Sequence, residues 1–320
     1  MKLLLLLLPF SILSIHSNAQ LQWQNVTDQY NPLPNSVQVY KTESLVDGKP
    51  NIAYYLIADL KDKQLQFKTD TTYKRRLTPG EFYQKNEKAL AVINTTFFSF
   101  QTHQNLNLII KDKKLVAYNI HSLPGRGKDT LTWRHPLGSA IGIFKNRTAD
   151  IAWTWTDSGS RKVLALQNPV PSLIRDSIKD TDFSFFAGTY TGWRKWKPIA
   201  AVGGGPVLVQ NGEIMITNNE EGKFAGKAID DKHPRSAMGY TADGKLVLLV
   251  VQGRMPGLAE GASLTQLAQM LKEIGCIEAM NLDGGGSSCL LINGKETIKP
   301  SDKEGQRAVP GVFLIVRRET

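Results

Sequence analysis

The sequence predicts an α/β (α+β) fold: a single domain with a mixed β-sheet built from hairpins and a few packed helices. Three observations carry this expectation. Most apolar runs are of strand length and bounded by turn residues; Asn211-Gly212 and Ala242-Asp243-Gly244 sit where hairpins turn; and helix-start signatures stand out at Thr78 and Ser263. No internal repeat, low-complexity tract or proline-rich linker divides the chain, so residues 20–320 read as one continuous unit.

Ile52 to Leu60 (IAYYLIADL) and Gln64 to Lys68 (QLQFK) read as two strands of a hairpin or meander about Lys61–Lys63. Thr78-Pro79-Gly80-Glu81 opens a helix, with Thr78 as cap, Pro79 in the first position and Glu81 completing a capping box; it is expected to end near Ala89. Ala91 to Phe98 (AVINTTFF) follows as a buried strand with a polar turn. In the middle of the chain Trp153 and Trp155, two residues apart, share one face of a strand, and core packing is the expected use of most of the tryptophans. Ala200 to Gln210 turns at Asn211-Gly212 and returns along Glu213 to Thr217, and Arg235 to Thr241 pairs with Lys245 to Val251. Ser263 caps a helix from Leu264 to Ile274, whose Leu264, Leu267, Ala268, Leu271 and Ile274 follow a three-to-four spacing; Gly275 ends it. Ile277 to Leu282, Ser288 to Ile292 and Val309 to Val316 complete the strands.

The first residues, a short basic start, an apolar run and Ser17-Asn18-Ala19 before Gln20, read as a cleavable signal peptide over residues 1–19, which places the product in the periplasm or outside the cell. No later segment is long and apolar enough to be an integral membrane span. The formal charge is +10, with 39 Lys and Arg against 29 Asp and Glu, which suits an anionic partner such as a phosphorylated or acidic glycan. Nucleic acid is not expected, because no basic block interleaves with aromatics and an exported chain seldom meets it. Cys276 and Cys289 are too few for a disulfide scaffold and lie in no CxxC pair; their spacing leaves a bridge between them open.

The most unusual run is Asn281-Leu282-Asp283-Gly284-Gly285-Gly286-Ser287-Ser288. Consecutive glycines let a ligand approach the main chain, and here they stand beside a carboxylate and two hydroxyls; a structural Asp-Gly turn is the equal alternative. Gly203-Gly204-Gly205-Pro206 is not a dinucleotide fingerprint, since Pro206 and a strand follow it, and it reads first as a bulge or tight turn. His233-Pro234-Arg235 starts one hairpin strand and Arg254 follows the other, so Arg235 and Arg254 could converge on one anion; surface ion pairs are the alternative. Asn94 and Thr95 end a buried strand with polar side chains that could line a pocket; a capped turn over core phenylalanines is the equal alternative. GxSxG and HExxH are missing, and His103, His121, His135 and His233 lack metal-ligand spacing.

Taken together, VINTTFF, VGGGPVLVQNGE, HPRSAMGYTADGKLVLLVVQGR, SLTQLAQMLKEIGCIEAMNLDGGGSSCLLINGK and QRAVPGVFLIV resemble the phosphodiester glycosidase family, from about Ile52 to Val316. The resemblance implies cleavage between a sugar's anomeric carbon and a phosphate. It implies a site of Asn94, His233, Arg235, Arg254, Asn281, Asp283, Gly284, Gly285, Ser287 and Ser288, with Thr95, Gly204 and Gly205 added as pocket-lining candidates. Asp283, Arg235 and Asn281 would do the chemistry. Asp283 is the candidate carboxylate; Arg235 and Arg254 would hold the departing phosphate, which needs less acid help than a sugar alkoxide. Asp243, in its Asp-Gly turn, and Glu304 are the weaker candidates for a second carboxylate. Family members often carry two glycines at Thr95 and Thr96, an aspartate at Gln252 and a glutamate at Gln306, so a glycan-binding module without turnover, or an exo-glycosidase on unphosphorylated sugar, stays as the alternative. No cofactor is expected; Asp283 and Asn281 alone fall short of a calcium shell, and a divalent cation is left open.

Overall fold

The computed structural model describes residues 20–318 except 88, 126–127, 160, 180–181 and the side chain of Lys227. The signal peptide expected over residues 1–19 lies outside the described residues.

Strand dominates, and its layering follows from one segment. Lys245–Val251 is apolar almost throughout, and period two divides it: Leu246, Leu248 and Val250 enter one core, Val247, Leu249 and Val251 another. A strand needs two apolar faces only where both are covered. It lies inside an eight-stranded sheet, between Ala53–Asp59 and Arg235–Thr241, with Cys276–Asn281 and Val207–Gln210 beyond. Helix Leu264–Glu273 covers the outer face, burying Leu264, Leu267, Ala268 and Leu271; each such leucine contributes on the order of 2 kcal/mol. The expected Ser263 cap is present as a full capping box with Gln266, and Gly275 follows at φ +96°.

The inner face meets a seven-stranded sheet, which contains Gly138–Ile143, Ala149–Thr156 and Ala200–Gly203, and a five-stranded sheet, which contains Leu65–Thr71, Ala91–Asn94 and Gly311–Arg317. Ile141, Trp153, Ile93 and Phe313 fill the space between them. Trp153 and Trp155 share that core, as their spacing predicts. The α+β class and the hairpin construction are as expected, and every ladder among the described residues is antiparallel.

Two expected pairings are replaced. Ala53–Asp59 and Leu65–Thr71 do not form a hairpin: the first pairs with Lys245–Val251 and the second with Gly311–Arg317, so the turn between them carries the chain from one sheet to another. Seven-residue ladders with partners remote in sequence outweigh the local turn. Ala200 to Gln210 is likewise not one strand. Ala200–Gly203 belongs to the seven-stranded sheet, Val207–Gln210 to the eight-stranded one, and Gly204-Gly205-Pro206 crosses between them. Asn211 (φ +53°) and Gly212 (φ +77°) do turn the chain into Glu213–Ile214. The Thr78 capping box is present, but its helix stops at Lys85 instead of near Ala89. The Asn86 amide donates to the Phe82 carbonyl and to Asp70, which ends the helix early. Cys276 and Cys289 are free thiols buried in different cores, so no bridge joins them.

Candidate active site

Strand ends that stop together make the site. Ala237 pairs with Asn281 and Val207 with Met280, so His233–Arg235, Gly204–Pro206 and the loop after Asn281 emerge at one edge of the eight-stranded sheet. Asn94 reaches them from the five-stranded sheet. Fully buried, it donates from Nδ2 to the Asp283 carbonyl at 2.6 Å and accepts through Oδ1 from Ser236 Oγ at 2.7 Å and the Cys289 amide at 3.1 Å. The Asp283 amide donates to the Thr95 carbonyl and the Gly285 amide to the Pro234 carbonyl, each at 2.8 Å. Asn281 donates from Nδ2 to the Gly205 carbonyl at 2.9 Å, and the Gly205 amide returns a bond to the Asn281 carbonyl at 2.8 Å. The expected residues Asn94, Thr95, Gly204, Gly205, His233, Arg235, Arg254, Asn281, Asp283, Gly284, Gly285, Ser287 and Ser288 are thus brought together.

Four glycines are there for clearance. A Cβ on Gly285, at φ +60°, would lie 3.0 Å from Arg254 Nη2, so the guanidinium of Arg254 rests against the loop. Gly205, at φ +108°, has no room for a side chain beside Glu221 and Lys223. Gly204 packs on the Asn281 carbonyl and Gly284 on that of Pro234, again too close for a Cβ.

Charge is distributed unevenly across the site. Arg235 is 3% exposed, donates from Nε to the Ala262 carbonyl at 2.9 Å and from Nη2 to the Asp231 carbonyl at 3.0 Å, and meets no carboxylate in an ion pair. Burial pushes its pKa down to about 10, and Arg254 adds to this. His233 is held below its ordinary value by burial, then by Arg235 and Arg254, so the three groups feel one another. Asp283 is pushed up to about 7 by burial, against the attraction of Arg307 and a hydroxyl, that of Ser287, which approaches without good hydrogen-bond geometry. Thr95 Oγ1, His233 Nδ1, Asn281 Oδ1, Ser287 Oγ and Ser288 Oγ are buried without a hydrogen-bond partner in the protein, all in this one region. Buried polar groups are normally paired, and a polar ligand is one partner that these five atoms could take.

Other residues at the site escape sequence reasoning. Lys223, its pKa lowered by burial, lies over the Phe97 ring, 5.5 Å from its centroid, and against Gly205. Phe97 meets Phe224 edge to face, and Phe224 lies under Arg235. Asp302 and Arg307 form a bidentate pair, at 2.8 and 2.9 Å, that leaves no space for a side chain at Gly286. Nothing in EGKF marks Lys223, whereas Gly286 in the triplet signals a close neighbour without identifying it. The departures from the family pattern have structural uses. Gln252 accepts from the Lys299 amide and donates to the Met255 sulfur; Gln306 accepts from the Gly80 amide and donates to Glu296. Asp243 is bound to Thr241 and Lys245 in its turn, and Glu304 is exposed. Among the described residues no three His, Cys, Asp or Glu side chains cluster as metal ligands, and no helix is long and apolar enough to cross a membrane.

Residues 87–316 match the family model described as phosphodiester glycosidase. The mouse N-acetylglucosamine-1-phosphodiester alpha-N-acetylglucosaminidase is 32% identical over 104 residues, 30% of this chain and 20% of that protein; the human enzyme is 33% identical over 104 residues. The match therefore spans about a fifth of these relatives' length. The zebrafish catalytic domain of the same name, auto-inhibited by its pro-peptide, superposes with a TM-score of 0.59 at 21% identity, over 95% of this chain and 90% of that one. With the family model covering most of its length, the chain belongs to the phosphodiester glycosidase family.

Proposed function

We propose that this chain is an exported hydrolase that cleaves the bond between a sugar's anomeric carbon and a phosphodiester, with residues 1–19 as its signal peptide and residues 20–320 as the domain that acts. The observation that carries this is Asp283, a carboxyl raised to about 7 among side chains with unpaired polar atoms, in a loop whose Gly285 lies against Arg254. A pKa near neutrality suits a group that exchanges a proton in the reaction. Asp283 is assigned as the general base that takes a proton from the attacking water while positive charge grows at the anomeric carbon. Arg254, exposed and lying on Gly285, and the donors of Arg235 not spent on carbonyls receive the charge that develops on the departing phosphate. Asn281 holds the crossing at Gly205 and turns its unpaired Oδ1 towards the same space, where a sugar hydroxyl can donate to it.

The test is release of free sugar from sugar-1-phosphodiesters, N-acetylglucosamine-1-phospho-sugars included, followed against pH. Turnover is expected, with kcat/KM falling about tenfold per unit as pH drops below about 7, because protonation removes the base. Activity that instead falls above that pH would make Asp283 the proton donor. Saturable sugar binding without any turnover would favour the binding module.

Gly285→Ala tests the phosphate end. The methyl group must sit at φ +60° and push on Arg254, so we expect about 1 kcal/mol lost from stability and KM raised about tenfold with kcat less affected. An unchanged KM would show that Arg254 does not touch the substrate.

A further inference from the structure

Far from the candidate site, two recesses lie side by side at the opposite end of strand Ala200–Gly203. From Gly205 at the site to Ile199 at the recesses is six residues, about 20 Å of extended chain. The Lys113 amide donates to the Ile199 carbonyl at 2.9 Å and the Ile199 amide to that of Ile143 at 2.8 Å, which draws three turns of the seven-stranded sheet into one wall. The recesses measure about 470 and 420 Å³ and share Lys113.

Their lining is cationic far beyond the chain's average. Lys68, Lys145 and Arg147 join Lys113 in the first, and Arg161, Lys162, Lys195 and Lys197 in the second, whereas among the described residues Asp112 is the one carboxylate that lines either. The chain as a whole has 39 basic to 29 acidic residues, so eight to one is a local feature and not a share of the total. The nearby acid Asp150 is committed to Arg194 and to Trp196 Nε1, and Arg147 is anchored on the carbonyls of Leu60, Asp62 and Leu65. Seven of the eight cations are exposed.

The geometry points to an accessory site for an extended polyanion, a linear polymer with phosphate at regular intervals. Exposed lysines are flexible point charges, suited to successive anions and less to the bidentate capture of one. The adjoining rings of Phe67 and Trp196 are buried and Phe144 is the one half-buried ring among the described lining residues, too few to stack successive bases, and a concave double recess does not fit a flat bilayer. Such a site would retain a polymer while its end is presented elsewhere. It stands independently of the role given to Asp283.

Binding of the intact chain to linear poly(glycerol phosphate) tests this, with neutral dextran and phosphatidylglycerol vesicles as comparisons. Salt-sensitive binding to the polymer is expected, weakened about tenfold or more in Lys113→Gln/Lys195→Gln/Lys197→Gln, whose substituted side chains are exposed. Thermal stability and turnover of a small sugar-1-phosphodiester should be unchanged in that variant. A control, Lys49→Gln/Lys128→Gln/Lys272→Gln, removes equal charge from other exposed positions and should retain binding. Equal weakening in both variants, no weakening in either, or tighter binding to vesicles than to the polymer would each overturn the inference.

Discussion

Replacing Asp283 with Asn should abolish sugar release, lowering kcat about 1,000-fold or more, while the protein stays as stable as before or becomes more so. The two halves of this expectation have one cause. Burial raises the Asp283 pKa to about 7, so the native state holds the proton more tightly than the unfolded chain does. Stability that is present at low pH is then lost as pH rises from the ordinary carboxyl range through about 7, where the site must carry a charge it does not favour. Asn keeps the shape without that charge. Thermal denaturation at pH 6 and pH 8 beside kinetics checks it: wild type should lose stability between the two pH values and the variant should not. A variant that is inactive because it is unfolded, or one that retains activity, would each remove Asp283 from its assigned role.

Asn94→Ala is expected to have the largest effect on folding. The side chain is fully buried and serves three partners: the Asp283 carbonyl, the Ser236 hydroxyl and the Cys289 amide. Truncation leaves all of them unsatisfied, at about 1 kcal/mol or more each, so roughly 3 kcal/mol should be lost, and with it the position of the loop. Asn94→Asp separates the two consequences. It keeps an acceptor for Ser236 and Cys289 but offers an anion to the Asp283 carbonyl in place of a donor. Activity should therefore fall more than stability. Chemical denaturation and kcat for both variants decide this, and a mild effect of Asn94→Ala on both would show that Asn94 does not hold the loop.

How much of this was legible beforehand depends on range. Elements governed by their own residues were readable: the Thr78 capping box, the Ser263 cap, the Asn211-Gly212 turn, the Arg235–Val251 hairpin and the shared face of Trp153 and Trp155. The partners of Leu65–Thr71, and the division of Ala200 to Gln210 between sheets, depend on ladders with partners tens to hundreds of residues away, which no local spacing encodes. The site shows the same split. Asp283 and its glycines stood out because a Gly triplet is rare and entropically costly, so it needs a reason. Lys223 did not, because what distinguishes it is enclosure by Phe97 and Gly205, not the residues beside it in sequence.

The tethering of the Asp283 loop also sets when that loop takes its shape. Asn94 and Asp283 are bonded across 189 positions, and the strand holding Asn94 pairs with Gly311–Arg317. A nascent polypeptide lacks that partner until residues 311–317 have been made, however early its helices and hairpins form. The loop is thus positioned as a late assembly step, after the local elements on which it rests.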